Sequence, residues 1–195
     1  MMFITQSFSG ELKVKSGDDN LMKSENLKKA YFAGGCFWCM EEAFDKIDGV
    51  KKSISGYSGG HFKNPTYNDV IYKDTGHVET IEITFDPKKI SYNELLNVFW
   101  KNIDPFDKYG QFCDKGKSYR SVIFFENSKQ KKIIKKSLRE IETKFGTAVV
   151  TLVWKFDKFY EAETYHQDYY QNNFLRYLAY KKACQREEVL NKIWN

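Results

Sequence analysis

Two cysteines three residues apart, Cys36 and Cys39, stand in the stretch Ala33-Gly34-Gly35-Cys36-Phe37-Trp38-Cys39. An ionised thiol is a strong nucleophile, and two thiols one helical turn apart can close on each other as in thioredoxin-type motifs. The plain alternative for either is a small buried hydrophobe, which most internal cysteines are. A second candidate is Glu79, at the start of a run in which Ile81, Ile83 and Phe85 share its face while Thr80, Glu82 and Thr84 take the other. A carboxyl turned inward at a strand start loses hydration, so its pKa rises and it keeps a proton near neutrality, as a general acid must. If Glu79 instead precedes the pleat, it simply faces solvent.

The elements that must position these groups follow from periodicity. Residues 29–33 read as a strand, Gly34-Gly35 as a turn, and Met40, Ala43, Phe44 and Ile47 as the apolar stripe of a helix with Glu41, Glu42 and Asp45 on its other side. This delivers Cys36 to the first helical turn, where free N–H groups and the dipole favour a thiolate, while Glu41 and Glu42 oppose it. A second strand over 49–55 runs into the turn-rich Gly56-Tyr57-Ser58-Gly59-Gly60 and then Asn64-Pro65-Thr66-Tyr67. Ser91 and Glu94 form a capping box for a core helix through Leu95, Leu96, Phe99 and Ile103, ending at Asp104-Pro105. A long loop, 106–118, leads to a strand at 122–125; an amphipathic helix over 128–145, a strand over 148–156 and a basic helical tail over 175–194 follow. On residue type alone Tyr67 and His166 are packing, Tyr119 a strand-edge residue and Asp114 a loop acid.

Bulk properties narrow the class. The 195 residues suit one catalytic domain over 29–195 behind a flexible extension over 1–28, and 42% hydrophobic with 17% aromatic residues is a globular composition. The net charge of +5 and the lysines between 129 and 136 lack any reader motif for nucleic acid and form a wet helix face. Four cysteines, at 36, 39, 113 and 184, with three histidines do not make paired knuckles, so no metal site is expected. No apolar run is long enough for a membrane, and the first ten residues lack a secretory pattern. The expected home is the cytoplasm, where thiols serve redox chemistry.

Gly-Cys-Phe-Trp after a strand resembles the signature of the peptide-methionine (S)-S-oxide reductases, the A-type methionine sulfoxide reductases. Gly-Tyr-x-Gly-Gly at 56–60, Asn-Pro-Thr-Tyr at 64–67, Thr-Gly-His-x-Glu at 75–79, Asp114 with Ser118-Tyr119-Arg120-Ser121, and the stretch 159–167 are similar in the same order, so the resemblance covers about 29–180. It implies an α+β fold: a two-layer α/β sandwich with a mixed, mainly antiparallel sheet and a largely irregular, helical C-terminal part. It further implies that Cys36 attacks the sulfur of a methionine sulfoxide, free or in oxidised proteins, and that Glu79 protonates its oxygen. Tyr67 and Tyr119 would hydrogen-bond the developing charge and Phe37 and Trp38 cradle the methyl group. Asp114 would order the loop of Tyr119, and His166 would support the site. The product sulfenic acid becomes a disulfide that a thioredoxin-like donor reduces, with no cofactor, in a monomer.

The departures concern recycling. Cys39 stands where the family often has glycine, Ile103 where histidine precedes Asp-Pro and Cys113 where asparagine precedes Asp114, and a glycine-rich tail with a terminal cysteine is missing. Cys39, then Cys184 and Cys113, are the candidate resolving thiols. A general CxxC thiol–disulfide oxidoreductase explains the cysteine pair but leaves Glu79, Tyr67 and Tyr119 idle, and a basic binding module uses none of them.

Overall fold

The long strand β3 (Val78–Phe85) is the middle of the molecule, flanked by β1 (Lys28–Ala33) and β2 (Val50–Ser58). The computed structural model describes residues 26–195; the extension expected over 1–28 lies almost wholly outside them. Helix α1 (Phe37–Asp45) follows β1, α2 (Tyr67–Tyr72) precedes β3, and α3 (Tyr92–Lys101) follows it. Then come a two-residue hairpin, β4 (Gly110–Gln111) with β5 (Asp114–Lys115), the strand β6 (Val122–Phe125), the long helix α4 (Ser128–Phe145), and β7 (Leu152–Lys155) and β8 (Phe159–Glu161). Three helices close the chain: α5 (Tyr169–Asn172), α6 (Phe174–Ala183) and α7 (Arg186–Trp194). The main sheet runs β7-β6-β1-β3-β2-β8, and β6 with β7 is its parallel pair. The expected mixed, mainly antiparallel sheet is therefore what forms.

Alternation along the strands sorts side chains to the two faces. Phe32 of β1, Ile81 and Ile83 of β3 and Ile123 of β6 pack on Met40 and Phe44 of α1, on Leu95, Leu96, Phe99 and Trp100 of α3 and on Ile134 of α4. The rings of Phe32 and Phe44 stack at 5.5 Å and those of Phe32 and Phe99 at 5.2 Å, so the first helix and α3 share one strand residue as their floor. Trp100 keeps its indole N–H satisfied inside this layer by donating to Ser137 Oγ, 2.6 Å away. The opposite face holds Tyr31, Ala33, Val78, Val122 and Phe124 under Trp154, Phe156 and Phe159.

Several segments differ from the sequence expectation. Gly56, Tyr57 and Ser58 do not turn; they continue β2, pairing with Thr80, Glu79 and Val78 on one side and with β8 on the other. Glycine is what admits β8, since a Cβ at Gly56 would lie 2.3 Å from both the Phe159 ring and the Tyr160 carbonyl. Tyr67 opens α2, which the sequence pattern missed, capped by Thr66 and Asp69 in a reciprocal box. The 106–118 loop contains the β4–β5 hairpin and runs into a 3₁₀ turn, Lys117–Tyr119. The strand expected over 148–156 is only four residues long, Leu152–Lys155.

The turn into α1 is held from outside. Gly35 has φ +79, and a Cβ there would lie 2.5 Å from Gln111 Cβ. Gln111 is fully buried and exchanges two 2.8 Å hydrogen bonds with the Asp104 backbone, so it cannot step aside. The C-terminal helices lie across the same region. Lys181 pairs with Glu42 at 3.0 Å, the Tyr177 hydroxyl donates to Glu42, and the buried Arg186 donates to the carbonyls of Gly34 and Asn102. Among the described residues no helix is long and apolar enough to cross a membrane. Gly35→Ala combines a left-handed position, worth roughly 1–2 kcal/mol, with an immovable neighbour. Its free energy of unfolding in urea should fall by at least that amount; an unchanged value would show that the turn is free to relax.

Candidate active site

Strand β1 pairs with β3 up to Phe32 opposite Ile81, so the chain leaves the sheet just above the next inward residue of β3, Glu79. The glycine turn then starts α1 there. Cys36 is the N-cap residue, with no side-chain cap of its own, and the Phe37 N–H, one of the unpaired donors of the helix entrance, donates to Glu79 Oε2 at 3.0 Å. Cys36, Phe37, Trp38, Tyr67, Glu79, Asp114, Tyr119 and Tyr180 enclose one small pocket of about 70 Å³. Sites that enclose a drug-sized ligand run to roughly 300–1,000 Å³. This one takes the end of a side chain.

Seven residues singled out in the sequence thus meet in one cavity, and Glu79 does turn inward, 2% exposed. Burial pushes its carboxyl well above the ordinary glutamate range, with Asp114 and Cys39 adding to the effect, against the Phe37 N–H and the Tyr119 hydroxyl. The folded protein therefore holds this proton more tightly than an exposed glutamate would. Burial also raises Tyr67, to about 12, and Tyr119 beyond that, so both stay hydroxyl donors. Asp114 is raised by burial as well, more than its bond from Tyr180 lowers it.

The thiols depart from the simple helix-entrance expectation. Cys36 and Cys39, each 4% exposed, behave as a pair. Burial drives Cys36 well up, helped by Cys39 and Glu79, with the Tyr180 hydroxyl pulling the other way. Cys39 is instead brought down to about 7, first by its hydrogen bond with Cys36 and then by Arg186 and Tyr177, against its own burial. The first negative charge settles on the second thiol because that is where a guanidinium and a tyrosine meet it. The expected opposition from the two glutamates is absent. Burial raises Glu41 to about 8, which leaves it neutral. Glu42 is also raised by burial but is pulled down to about 2 by Lys46, Tyr177 and Lys181, whose cations offset its charge.

Around the pocket, Trp38 is fixed from both sides: it stacks on Tyr169 at 3.8 Å, and its indole N–H donates to His166 Nδ1 at 3.2 Å. That bond makes Nδ1 the acceptor, and burial lowers the His166 pKa, so the ring is neutral. His166 stands outside the lining, against the rings of Phe37 and Tyr67. Two contributors carried no separate signal in the sequence. Glu163 accepts from the Tyr57 hydroxyl at 2.9 Å and from the Tyr67 N–H at 2.8 Å, which locks the start of α2 to β2. Tyr180 comes from the tail to complete the wall and donates to Asp114; the aromatic spacing Tyr177, Tyr180 on a helix was the available hint.

Of the three candidate resolving thiols, Cys113 and Cys184 are bonded to each other, with Cα atoms 4.9 Å apart, whereas Cys36 and Cys39 are free. Neither member of the outer pair can attack Cys36 while that bond stands. The ligand atoms of Cys113, Asp114 and Cys184 lie within 4.8 Å of one another, but both sulfurs are spent in the disulfide.

Residues 28–195 match the family described as peptide methionine sulfoxide reductase. The peptide methionine sulfoxide reductase MsrA of Listeria monocytogenes serotype 4b is 47% identical over 175 residues, covering 89% of this chain and 99% of that one. Among solved structures, Mxr1 of Saccharomyces cerevisiae in its reduced form superposes with a TM-score of 0.72 at 31% identity, over 75% of this chain and 86% of that one. The same yeast protein in complex with Trx2 gives 0.52 at 23% identity, over 73% and 84%. With a matching family over all but the first 27 residues, and a relative 47% identical that is matched over 99% of its length, the chain belongs to the peptide methionine sulfoxide reductases and is an oxidoreductase of the MsrA type.

Proposed function

We propose that the protein reduces the S-epimer of methionine sulfoxide, free or in oxidised proteins, to methionine, with Cys36 as nucleophile and Glu79 as acid. The observation that carries the reading is the single side-chain-sized pocket in which a buried thiol, a carboxyl that holds its proton and two tyrosine hydroxyls converge. The methyl group rests against Phe37 and Trp38, and the oxygen points to Glu79, Tyr67 and Tyr119. Cys36 attacks the sulfur as its proton passes to the Cys39 thiolate, and Glu79 gives its proton to the oxygen. Collapse of the adduct yields methionine and a Cys36 sulfenic acid. The Cys39 thiol, one turn away, then displaces water to form the Cys36–Cys39 disulfide.

A thioredoxin-like dithiol restores both thiols, as the yeast relative's complex with Trx2 suggests, and a reducing compartment such as the cytoplasm supplies it. Asp114 holds Tyr180 and through it the pocket wall, and His166 holds Trp38. One chain provides the whole pocket, which suits a monomer. General disulfide exchange fits poorly, because it leaves Glu79, Tyr67 and Tyr119 in the pocket without a task.

A single turnover without reductant should give one equivalent of methionine from the S-epimer and none from the R-epimer, leave a Cys36–Cys39 disulfide on a mass map, and vanish in Cys36→Ser. Equal use of both epimers, or a map without that bond, would remove the mechanism. The single-turnover rate should rise as pH passes through about 7, where Cys39 loses its proton; Cys39→Ser should move the rising limb upward. Glu79→Gln should lower kcat/KM by about 10²–10⁴-fold. The same change should stabilise the protein. The native state holds this proton more tightly than the unfolded chain does, so the acid costs stability progressively as pH rises above the ordinary glutamate range, and glutamine removes that cost. A gain of about 1 kcal/mol at pH 8 in urea unfolding is expected, and a loss there would refute the buried-acid account.

A further inference from the structure

The chemistry above leaves the Cys113–Cys184 disulfide without a task. It ties the β4–β5 hairpin to the C-cap residue of α6 across 71 residues of chain. Each half-cystine adjoins a residue of the pocket wall: Asp114 follows Cys113, and Tyr180 lies one helical turn before Cys184. One turn earlier still, Tyr177 covers Cys36 and Cys39. The backbone beside both half-cystines is left-handed, at Phe112 (φ 54) and Gln185 (φ 51), a conformation that large side chains adopt only where the surroundings impose it.

Access differs sharply between the two cysteine pairs. Cys113 is exposed, whereas Cys36 and Cys39 are each 4% exposed and Cys39 does not line the pocket. A macromolecular dithiol cannot align a sulfur with a Cys36–Cys39 bond through an opening that admits one side-chain end. It can reach Cys113. We propose that Cys113–Cys184 is a second redox site, a clasp that a dithiol donor reduces and whose opening lets α6 and the Asp114 hairpin separate, uncovering the Cys36–Cys39 pair. This rests on the reading of Cys36 and Cys39 as the working thiols.

One donor thiolate attacks Cys113 Sγ; the Cys113–Cys184 bond breaks and Cys184 leaves as a thiolate that takes up a proton. The second donor thiol, losing its proton, displaces Cys113, and the donor departs as a disulfide with two electrons transferred. What then holds α6 is non-covalent: Tyr177 and Lys181 on Glu42, and Tyr180 on Asp114. Its outer face contributes nothing to a core, with Phe174, Leu175 and Leu178 55%, 79% and 43% exposed.

The test is the rate at which N-ethylmaleimide alkylates Cys39 and Cys36 in the whole protein, followed by peptide mass mapping. Three samples are compared: the disulfide-intact protein, the same protein treated with dithiothreitol and desalted, and Cys113→Ser/Cys184→Ser. Alkylation of Cys39 should be at least about tenfold faster in the second and third. Equal rates overturn the clasp, as does a non-reduced map of air-equilibrated protein in which Cys113 and Cys184 are free thiols. If the double variant does not fold, the dithiothreitol sample decides alone. Alkylation needs no sulfoxide turnover, so failure of the clasp and failure of the proposed reductase activity are read separately.

Discussion

The hydrogen bond from the Phe37 N–H to Glu79 is the constraint around which the site is built. It joins the start of one element to the interior of another, and each needs the other. The helix entrance has donors that must find partners away from water, and the buried carboxyl needs a donor to be tolerated where it lies. Neither group could be moved by one residue. A slip of β3 against β1 would turn Glu79 to the opposite face, since successive strand residues alternate. The glycine turn and the Phe32–Ile81 register therefore do chemical work: they set where a thiol and a proton donor meet.

A competition between two physical effects decides the charge of that site. A helix entrance favours an anion by about 0.3–1 kcal/mol, up to roughly 2 kcal/mol when partly buried. Withdrawing a charge from water costs several kcal/mol unless it is paired. At Cys36 burial wins, because Cys39 and Glu79 add to it and the Tyr180 hydroxyl is too weak to offset them. At Cys39 the same burial is outweighed by its hydrogen bond with Cys36, together with Arg186 and Tyr177. The two thiols share one proton between unequal environments, which is a poised state for a nucleophile that must stay covered until its substrate fills the pocket.

Local patterning in the sequence was a sound guide wherever local patterning decides the structure. The Ser91–Glu94 capping box, the Ser128–Phe145 helix and the inward face of β3 appear as read, because caps and periodicity are properties of neighbouring residues. The gathering of Tyr67, Asp114 and Tyr119 around Cys36 was legible only through resemblance, since nothing in their own surroundings marks them out. What escaped was non-local. Gly56 reads as a turn until β8, a hundred residues later, is seen to approach it. Glu163 and Tyr180 act through partners 96 and 66 residues away, and no window along the chain contains both ends. The thiol charges were missed for a related reason: depth of burial is a property of the assembled fold.

The same non-local dependence ties the altered cysteines to the tail. A thiol at position 39 faces Tyr177 and responds to Arg186, so its acidity requires α6 and α7 to be packed on α1. Those helices present little apolar surface to the sheet, and α6 leaves large hydrophobic side chains in solvent. Their hold combines the packing of Tyr177 on the two thiols and of Trp194 on the core with polar contacts to Glu42, Asp114, Gly34 and Asn102 and with the bond between Cys113 and Cys184. A crosslink adds most where the packing it supports is weak, because it limits the open ensemble that weak contacts cannot. A cysteine in the β4–β5 hairpin and one at the end of α6 thus answer to the same need as Cys39: a thiol pair that works from beneath a helix requires that helix to stay in place.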